Sequence, residues 1–522
     1  MIEIGPDGGE VLLDGDSLTI ELVVSVAREG AQAVLSLSGK SKLLRARQLV
    51  EQILAQGRRV YGVNTGFGKF SDVSISPEDT GALQRNLIMS HAGGLGAPLP
   101  REVVRGMMLL RANSLAKGYS GIRVEVVQLL LNMLNQYLHP VVPCKGSVGA
   151  SGDLVPLAHI ALAMIGQGQA EYRDRVMPAS EALAAAGLHP VSLTAKEGLA
   201  LINGTQYMSA FGCLALHDAL RLYQAVNIAA AMSFEALEGI PNAFDHQVHA
   251  VRPHCGQVQC ATAMRRLLEG SELLTRKRPR RVQDAYTLRC IPQVHGASLD
   301  AIGYVAGVLQ TEINSATDNP LLFPDTGDVI SGGNFHGQPL ALALDFLAIA
   351  VSELGSISER RTERLVNPTL NGDLPPFLTE YGGLNSGLMI LQYASAALAS
   401  ENKVLSHPAS VDSIPTSGSQ EDHVSMGAIA ARKASQVVDN VSWVIAGEIL
   451  AAAQALDFAT HSLGKGSRAA LLAVREVAPH WNEDRVLYQD LNRVHDLLQS
   501  GVINERVSAA TGLLLPEVGW QA

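Results

Sequence analysis

The 522-residue chain is short of charge, of aromatic rings and of cysteine. Charged residues make up 17% of it, below the quarter usual for a globular domain, while hydrophobic residues make up 47%. A chain so poor in charge and rich in Ala, Leu and Val has long faces to bury, both within itself and against other subunits. The net charge of −10 removes the basic footprint that nucleic acid requires. The one basic run, residues 276–281 (RKRPRR), reads as a solvated loop. Five cysteines with no framework spacing fit reduced thiols and a cytoplasmic location. The opening MIEIGPDGGEV has neither the basic nor the apolar region of a secretory signal. The apolar stretches are interrupted, by Asp345 and Glu353 or by Glu448 and Asp457, so none reads as a membrane span.

What is present changes character along the chain. Residues 1–204 are mixed, with strand-like pieces at 10–13 and 60–63, Gly-rich loops, and helical periodicity at 83–92, 102–115 and 123–138. From residue 205 to 522 the pattern becomes long helices with short polar loops, expected at 205–237, 298–315, 339–365, 384–405 and 422–459. They lack sustained heptads, which excludes a simple coiled coil and favours a large bundle with helices buried on several sides. The expected fold is mainly α, with a loop-rich N-terminal lobe (1–204) and a long-helix bundle with C-terminal helices (205–522). Catalytic groups tend to sit on loops held by such a scaffold.

The segment GSVGASGDLVPLAH (146–159) carries the strongest chemical signal. Small residues fill its first half and a helix is expected in its second, with Asp153 placed to cap it and Pro156 in its first turns. One reading is a tight turn or an anion-binding nest. A phosphate loop is disfavoured, because no Gly-Lys-Ser/Thr follows. The other reading is backbone cyclisation. The nitrogen of Gly152, with no side chain to crowd it, can approach the carbonyl of Ala150 in a compressed turn. Loss of one water closes a five-membered ring. Loss of the Ser151 hydroxyl as a second water leaves a methylidene-imidazolone, an electrophile that no standard side chain supplies.

This segment resembles the prosthetic-group segment of the ammonia-lyase and aminomutase family that uses that electrophile. The similarity continues in one order through VYGVNTGFGKFSD from Val60, NLIMSHAGGLG from Asn86, KEGLALINGTQ from Lys196, VQDAYTLRCIPQVHGA from Val282, TDNPLLF from Thr317, ISGGNFHGQP from Ile330, and SENKVLSHPASVDSIPTSGSQEDHVSMG from Ser400. The resemblance implies a helical fold of the aspartase/fumarase-like kind and a homotetramer with shared active sites. It also implies an amino-acid substrate and no external cofactor or metal.

The chemistry is removal of a weakly acidic proton beside an amine, followed by expulsion of ammonia. The electrophile supplies the electron sink, whether the substrate attacks it through its amine or through its ring. The resemblance makes Tyr61, in its Gly-rich loop, the leading candidate base, provided that its phenol is depressed from about 10. Tyr286 and Glu421 are the other two candidates. Arg289 offers a planar fork for the substrate carboxylate. Gln283, Tyr286 and Arg289 have a three-residue spacing compatible with one helical face. Asn203 is placed to bond an oxyanion or the substrate amine. Phe335 is expected to pack beside the electrophile, and Gln293 to touch carboxylate or amine.

Two positions bear on the substrate. Ser90-His91 resembles the histidine-specific members of the family. Glu421 can accept an imidazole N–H, whereas facing a phenyl ring it would be desolvated at a cost of roughly 1–3 kcal/mol. The expected reaction is therefore L-histidine to trans-urocanate plus ammonia, a step in histidine degradation. The alternatives are a tyrosine or phenylalanine lyase or aminomutase of the same family, and a non-catalytic helical scaffold. Three departures from the family pattern stand out, one of them Gly372, inserted before Asp373-Leu-Pro-Pro. Ser419 replaces a common Asn, and Tyr207 follows NGTQ where a small residue is usual and is expected to narrow the pocket. The cluster His246, His249, His254, Cys255 and Cys260 matches no standard metal site.

Overall fold

The computed structural model describes residues 10–276 and 281–513, so residues 277–280 of the basic run and the first nine residues lie outside it. Helices dominate. The sheets are small: Val11–Leu13 pairs in parallel with Ala33–Leu35, and Leu95–Pro98 pairs antiparallel with Pro143–Lys145. Leu138–Pro140, Gln169–Tyr172 and Arg175–Pro178 form a three-stranded antiparallel sheet, and Leu321–Phe323 with Asp328–Ile330 forms a hairpin. Residues 60–63, expected as a strand, form a turn instead, because Gly62 takes a left-handed φ of +73°.

The long helices are Gln206–Ala236, Ile291–Glu312, Gln338–Val366, Met389–Leu405 and Gly427–Leu456. The second starts seven residues earlier than its sequence pattern suggests. Gly296 is the reason: a Cβ there would meet the backbone of Gly256 and Gln257, so this glycine serves close packing rather than a loop. The fifth starts five residues later than expected, because Met426 takes a φ of +55° that ends the preceding irregular segment. Among the described residues, Gln338–Val366 is long and apolar enough to cross a membrane, and 67% of its apolar window is buried, as in a core helix.

The change of pattern at 204/205 marks where loops give way to long helices. Contacts gather the chain into two units, each discontinuous in sequence: 1–217 with 307–345 and 408–432, and 218–306 with 346–407 and 433–522. In the first, Ser36 caps Leu37–Ala55 by accepting from the Gly39 amide, and Arg101–Ala116 is buried along nearly its whole length. In the second, a buried polar network ties the helices together. Glu448, fully buried, accepts from Arg361 Nε at 2.6 Å, Ser358 at 2.6 Å and Ser233 at 2.7 Å. Arg361 in turn meets His295 Nε2 at 3.2 Å, and Asn227 holds the other nitrogen of that ring at 2.8 Å. Burial beside a guanidinium drives the His295 pKa well below its ordinary range.

Candidate active site

The Gly/Ser segment is held from both sides within the first unit. Gly149 and Gly152 take left-handed φ values of +65° and +70°. A Cβ on Gly152 would run into the carbonyl of Gly204, so only glycine fits. The Asp153 amide donates to that same carbonyl at 2.6 Å, the Ser425 hydroxyl donates to Gly149 O at 2.9 Å, and the Met426 amide donates to Val148 O at 2.8 Å. The turn is thus pinned at 148, 149 and 153, around the three residues expected to cyclise. This is a cradle that fits the electrophile: two positive-φ glycines, no room for a side chain at 152, and an amide donor on the Ser151 carbonyl. That donor is Asn203 Nδ2, at 2.8 Å.

Asp153 stands at the N-cap of helix Leu154–Met164, but its carboxylate makes no cap hydrogen bond to that helix. It accepts from Ser147 Oγ and the Met208 amide, both at 3.0 Å, inside the protein. Desolvation pushes its pKa up to about 7.

Ser151 opens onto a cavity of about 880 Å³ lined by, among others, Tyr61, Leu87, His91, Ala150, Asn203, Asn319, Phe335, His336, Glu421 and His423. The Ser151 hydroxyl donates to Glu421 Oε1 at 2.8 Å, and Thr416 Oγ1 donates to the other carboxylate oxygen at 2.6 Å. His91 ends helix Thr80–His91, with Nδ1 against Leu87 O at 2.9 Å and Ser90 Oγ at 3.1 Å. Its Nδ1 is thereby engaged by its own helix turn. The Tyr61 hydroxyl accepts from the Gly68 amide at 3.4 Å. Its pKa is raised, not depressed: burial comes first, and the charges of Glu421 and Asp318 add to it. A phenol in this setting needs a cation or a proton acceptor beside it before it can serve as a base.

The cavity therefore gathers Tyr61, His91, Ala150, Ser151, Asn203, Phe335 and Glu421, while Gly152 lies beside it in the pinned turn. Gln283, Tyr286, Arg289 and Gln293 belong to the second unit. There, Tyr286 and Arg289 lie on the short helix Tyr286–Arg289, and Gln283 precedes it outside any helix, so the three do not share a helical face. They still associate. The Arg289 guanidinium lies 4.5 Å from the Tyr286 ring centre, and the Gln283 amide, with its oxygen toward Arg289, accepts from it. Tyr286 is 70% exposed, whereas Gln293 Oε1 is buried with no hydrogen-bond partner among the described residues.

Tyr207 does not narrow the cavity. Its ring is buried against Phe211 and its hydroxyl donates to Cys144 O at 2.9 Å. Ser419 lies exposed at a φ of +64°, a conformation that Asn tolerates better than most residues, which accounts for the Asn commonly found there. Among the described residues no three His, Cys, Asp or Glu gather as metal ligands; His249 is engaged by Ala243 O and Gln257, and Cys260 by Asn227. The sequence reading missed Thr416, Ser425, His336, His423 and Asn319. All of them stood inside recognised motifs, but nothing in their spacing said that they would face the cavity or pin its turn.

Comparison with known proteins agrees with this geometry. The sequence model of the aromatic amino acid lyase family matches residues 18–476. A protein named histidine ammonia-lyase from Caldanaerobacter subterraneus subsp. tengcongensis is 59% identical over 507 residues, 97% of this chain and 99% of that protein. The crystal structure of histidine ammonia-lyase from Trypanosoma cruzi is similar with a TM-score of 0.90 at 46% identity, covering 98% of this chain and 96% of that one. Tyrosine aminomutase from Streptomyces globisporus has a TM-score of 0.92 at 37% identity, covering 97% and 100%.

Proposed function

Because this chain belongs to the aromatic amino acid lyase family, we propose that it eliminates ammonia from L-histidine to give trans-urocanate, with a methylidene-imidazolone formed from Ala150, Ser151 and Gly152. The observation that carries this reading is the meeting of Ser151 and Glu421 in one cavity at 2.8 Å. One member of the pair belongs to the electrophile's source. The other is an anion suited to an imidazole N–H and unsuited to a phenyl ring.

The imidazolone, once formed, supplies the electron sink that makes the amine a leaving group. The chain's own residues do the rest. Asn203 Nδ2, already on the Ser151 carbonyl, stabilises negative charge that develops there. Glu421, fixed by Thr416, receives the imidazole. Phe335 and Leu87 wall the cavity. Proton abstraction falls to Tyr61, Tyr286 or Glu421.

The substrate carboxylate needs a cation, and Arg289 is the candidate. We propose that the protein is a homotetramer in which Tyr286 and Arg289 of a partner subunit complete each cavity. The exposed Tyr286 ring, stacked against the half-buried Arg289, supports this, as does the low charge content of the chain. All five cysteines are free thiols, in keeping with a cytoplasmic setting.

Incubation of the purified protein with L-histidine, L-tyrosine and L-phenylalanine in turn, followed by the ultraviolet spectrum of the product, tests the reading. Urocanate from histidine is expected. Turnover of tyrosine or phenylalanine without turnover of histidine would overturn it.

A further inference from the structure

Lys196 occupies a place that asks for an explanation. It is fully buried, and its backbone has a φ of +73°, a left-handed conformation that a lysine adopts only under constraint. Its ammonium reaches the equally buried Asp318 at 2.8 Å. Three segments meet at this pair. Lys196 opens helix Glu197–Ile202, which ends at Asn203. Asp318 Oδ1 accepts from the Asn319 amide at 2.7 Å, and Asn319 Oδ1, at the cavity wall, accepts from the Gly332 amide at 2.8 Å. The third segment is the turn of Tyr61. A Cβ on Gly62 would touch Leu199 at 2.7 Å, Pro320 at 3.2 Å and the Lys196 stem at 3.9 Å.

We propose that Lys196 is a positioning residue: its ammonium, paired with Asp318 behind the Tyr61 turn, offsets part of the Asp318 charge that the phenol feels and locks the turns bearing Tyr61, Asn203 and Asn319 into one block. This rests on the reading of Tyr61 as a group that titrates in the reaction. The charges acting on Tyr61 are those of Glu421 and Asp318, and Lys69, Asp72 and His91 line the same cavity. Arg111, fully buried, also acts on Asp318, and its Nη1 donates to Asn203 O at 2.8 Å.

The test is the pH profile of kcat/KM for Lys196→Met, Asp318→Asn and the double variant, beside intact mass and circular dichroism. In Lys196→Met the two-water mass loss should persist. The rising limb should move up by about 1 pH unit, roughly a tenfold loss of rate at fixed pH on that limb. In Asp318→Asn the limb should move down, and in the double variant it should return close to wild type. An unmoved limb in Lys196→Met, an unprocessed mass in that variant, or a double variant no better than the single would overturn the proposal. If Lys196→Met does not fold, Asp318→Asn decides, since an unmoved limb there overturns it too. Tyr61→Phe separates the two readings. A rising limb that survives in Tyr61→Phe refutes Tyr61 as the titrating group, whereas a limb lost there but unmoved by the charge variants refutes Lys196 alone.

Discussion

Ser151 and Glu421, 270 residues apart in sequence, share a 2.8 Å hydrogen bond at the wall of one cavity. In the proposed reaction the residue that would give up its hydroxyl thus lies beside the carboxylate proposed to receive the imidazole. Glu421→Gln keeps the shape and removes the charge. The expected result is a fall in kcat/KM for histidine of about 10²–10⁴-fold, the range for losing a positioned acid or base. Steady-state kinetics on the processed protein checks it, and an unchanged kcat/KM would show that the charge is dispensable.

Tyr207 departs from the family pattern, yet it faces Cys144 O and Phe211 rather than the cavity. Tyr207→Phe should cost about 1 kcal/mol of stability, from one buried hydrogen bond, and leave the preference among amino acids unchanged. Denaturant unfolding and a substrate panel measure the two. A widened substrate range would contradict the placement of this ring.

The Asp153 carboxyl rises on folding from an ordinary 3.8 to about 7 because it is desolvated. The folded state therefore binds the proton more tightly than the unfolded one. This contribution to stability is fully present below pH 3.8 and is lost as pH rises through 7, a loss on the order of a few kcal/mol. Asp153→Asn has no such proton to lose. Unfolding midpoints between pH 4 and 8 should fall more steeply in the wild type than in the variant, and parallel slopes would refute this account.

The legible part of this protein was its chemistry-bearing loops and its long helices. Periodicity located Gln206–Ala236 and Gln338–Val366 closely, because uninterrupted apolar runs leave few alternatives. It misplaced the start of Ile291–Glu312, since Gly296 signals a loop to a local reading while its role is contact with a distant backbone. The Ala150-Ser151-Gly152 turn stood out in the sequence because the proposed cyclisation depends on adjacent residues. Its supports were not. Ser425 on Gly149 and Thr416 on Glu421 are settled by tertiary packing. Asp153 looked like a cap for its own helix, and its buried carboxylate accepts instead from Ser147 and from the first turn of Gln206–Ala236.

The buried Glu448 in the second unit is matched by Arg361, Ser233 and Ser358. Glu448→Ala leaves a guanidinium unpaired in the interior and should cost about 3–5 kcal/mol. Denaturant unfolding followed by circular dichroism reads this directly, and a loss below about 1 kcal/mol would mean that water or another group replaces the carboxylate.

The central claim is a covalent one, and intact mass spectrometry addresses it without assuming any substrate. The purified wild-type protein should weigh about 36 Da less than its translated sequence, the mass of two waters. Ser151→Ala, folded as the wild type by circular dichroism, has no hydroxyl to lose and should be inactive. A fully active wild-type protein at its unmodified mass would contradict the account.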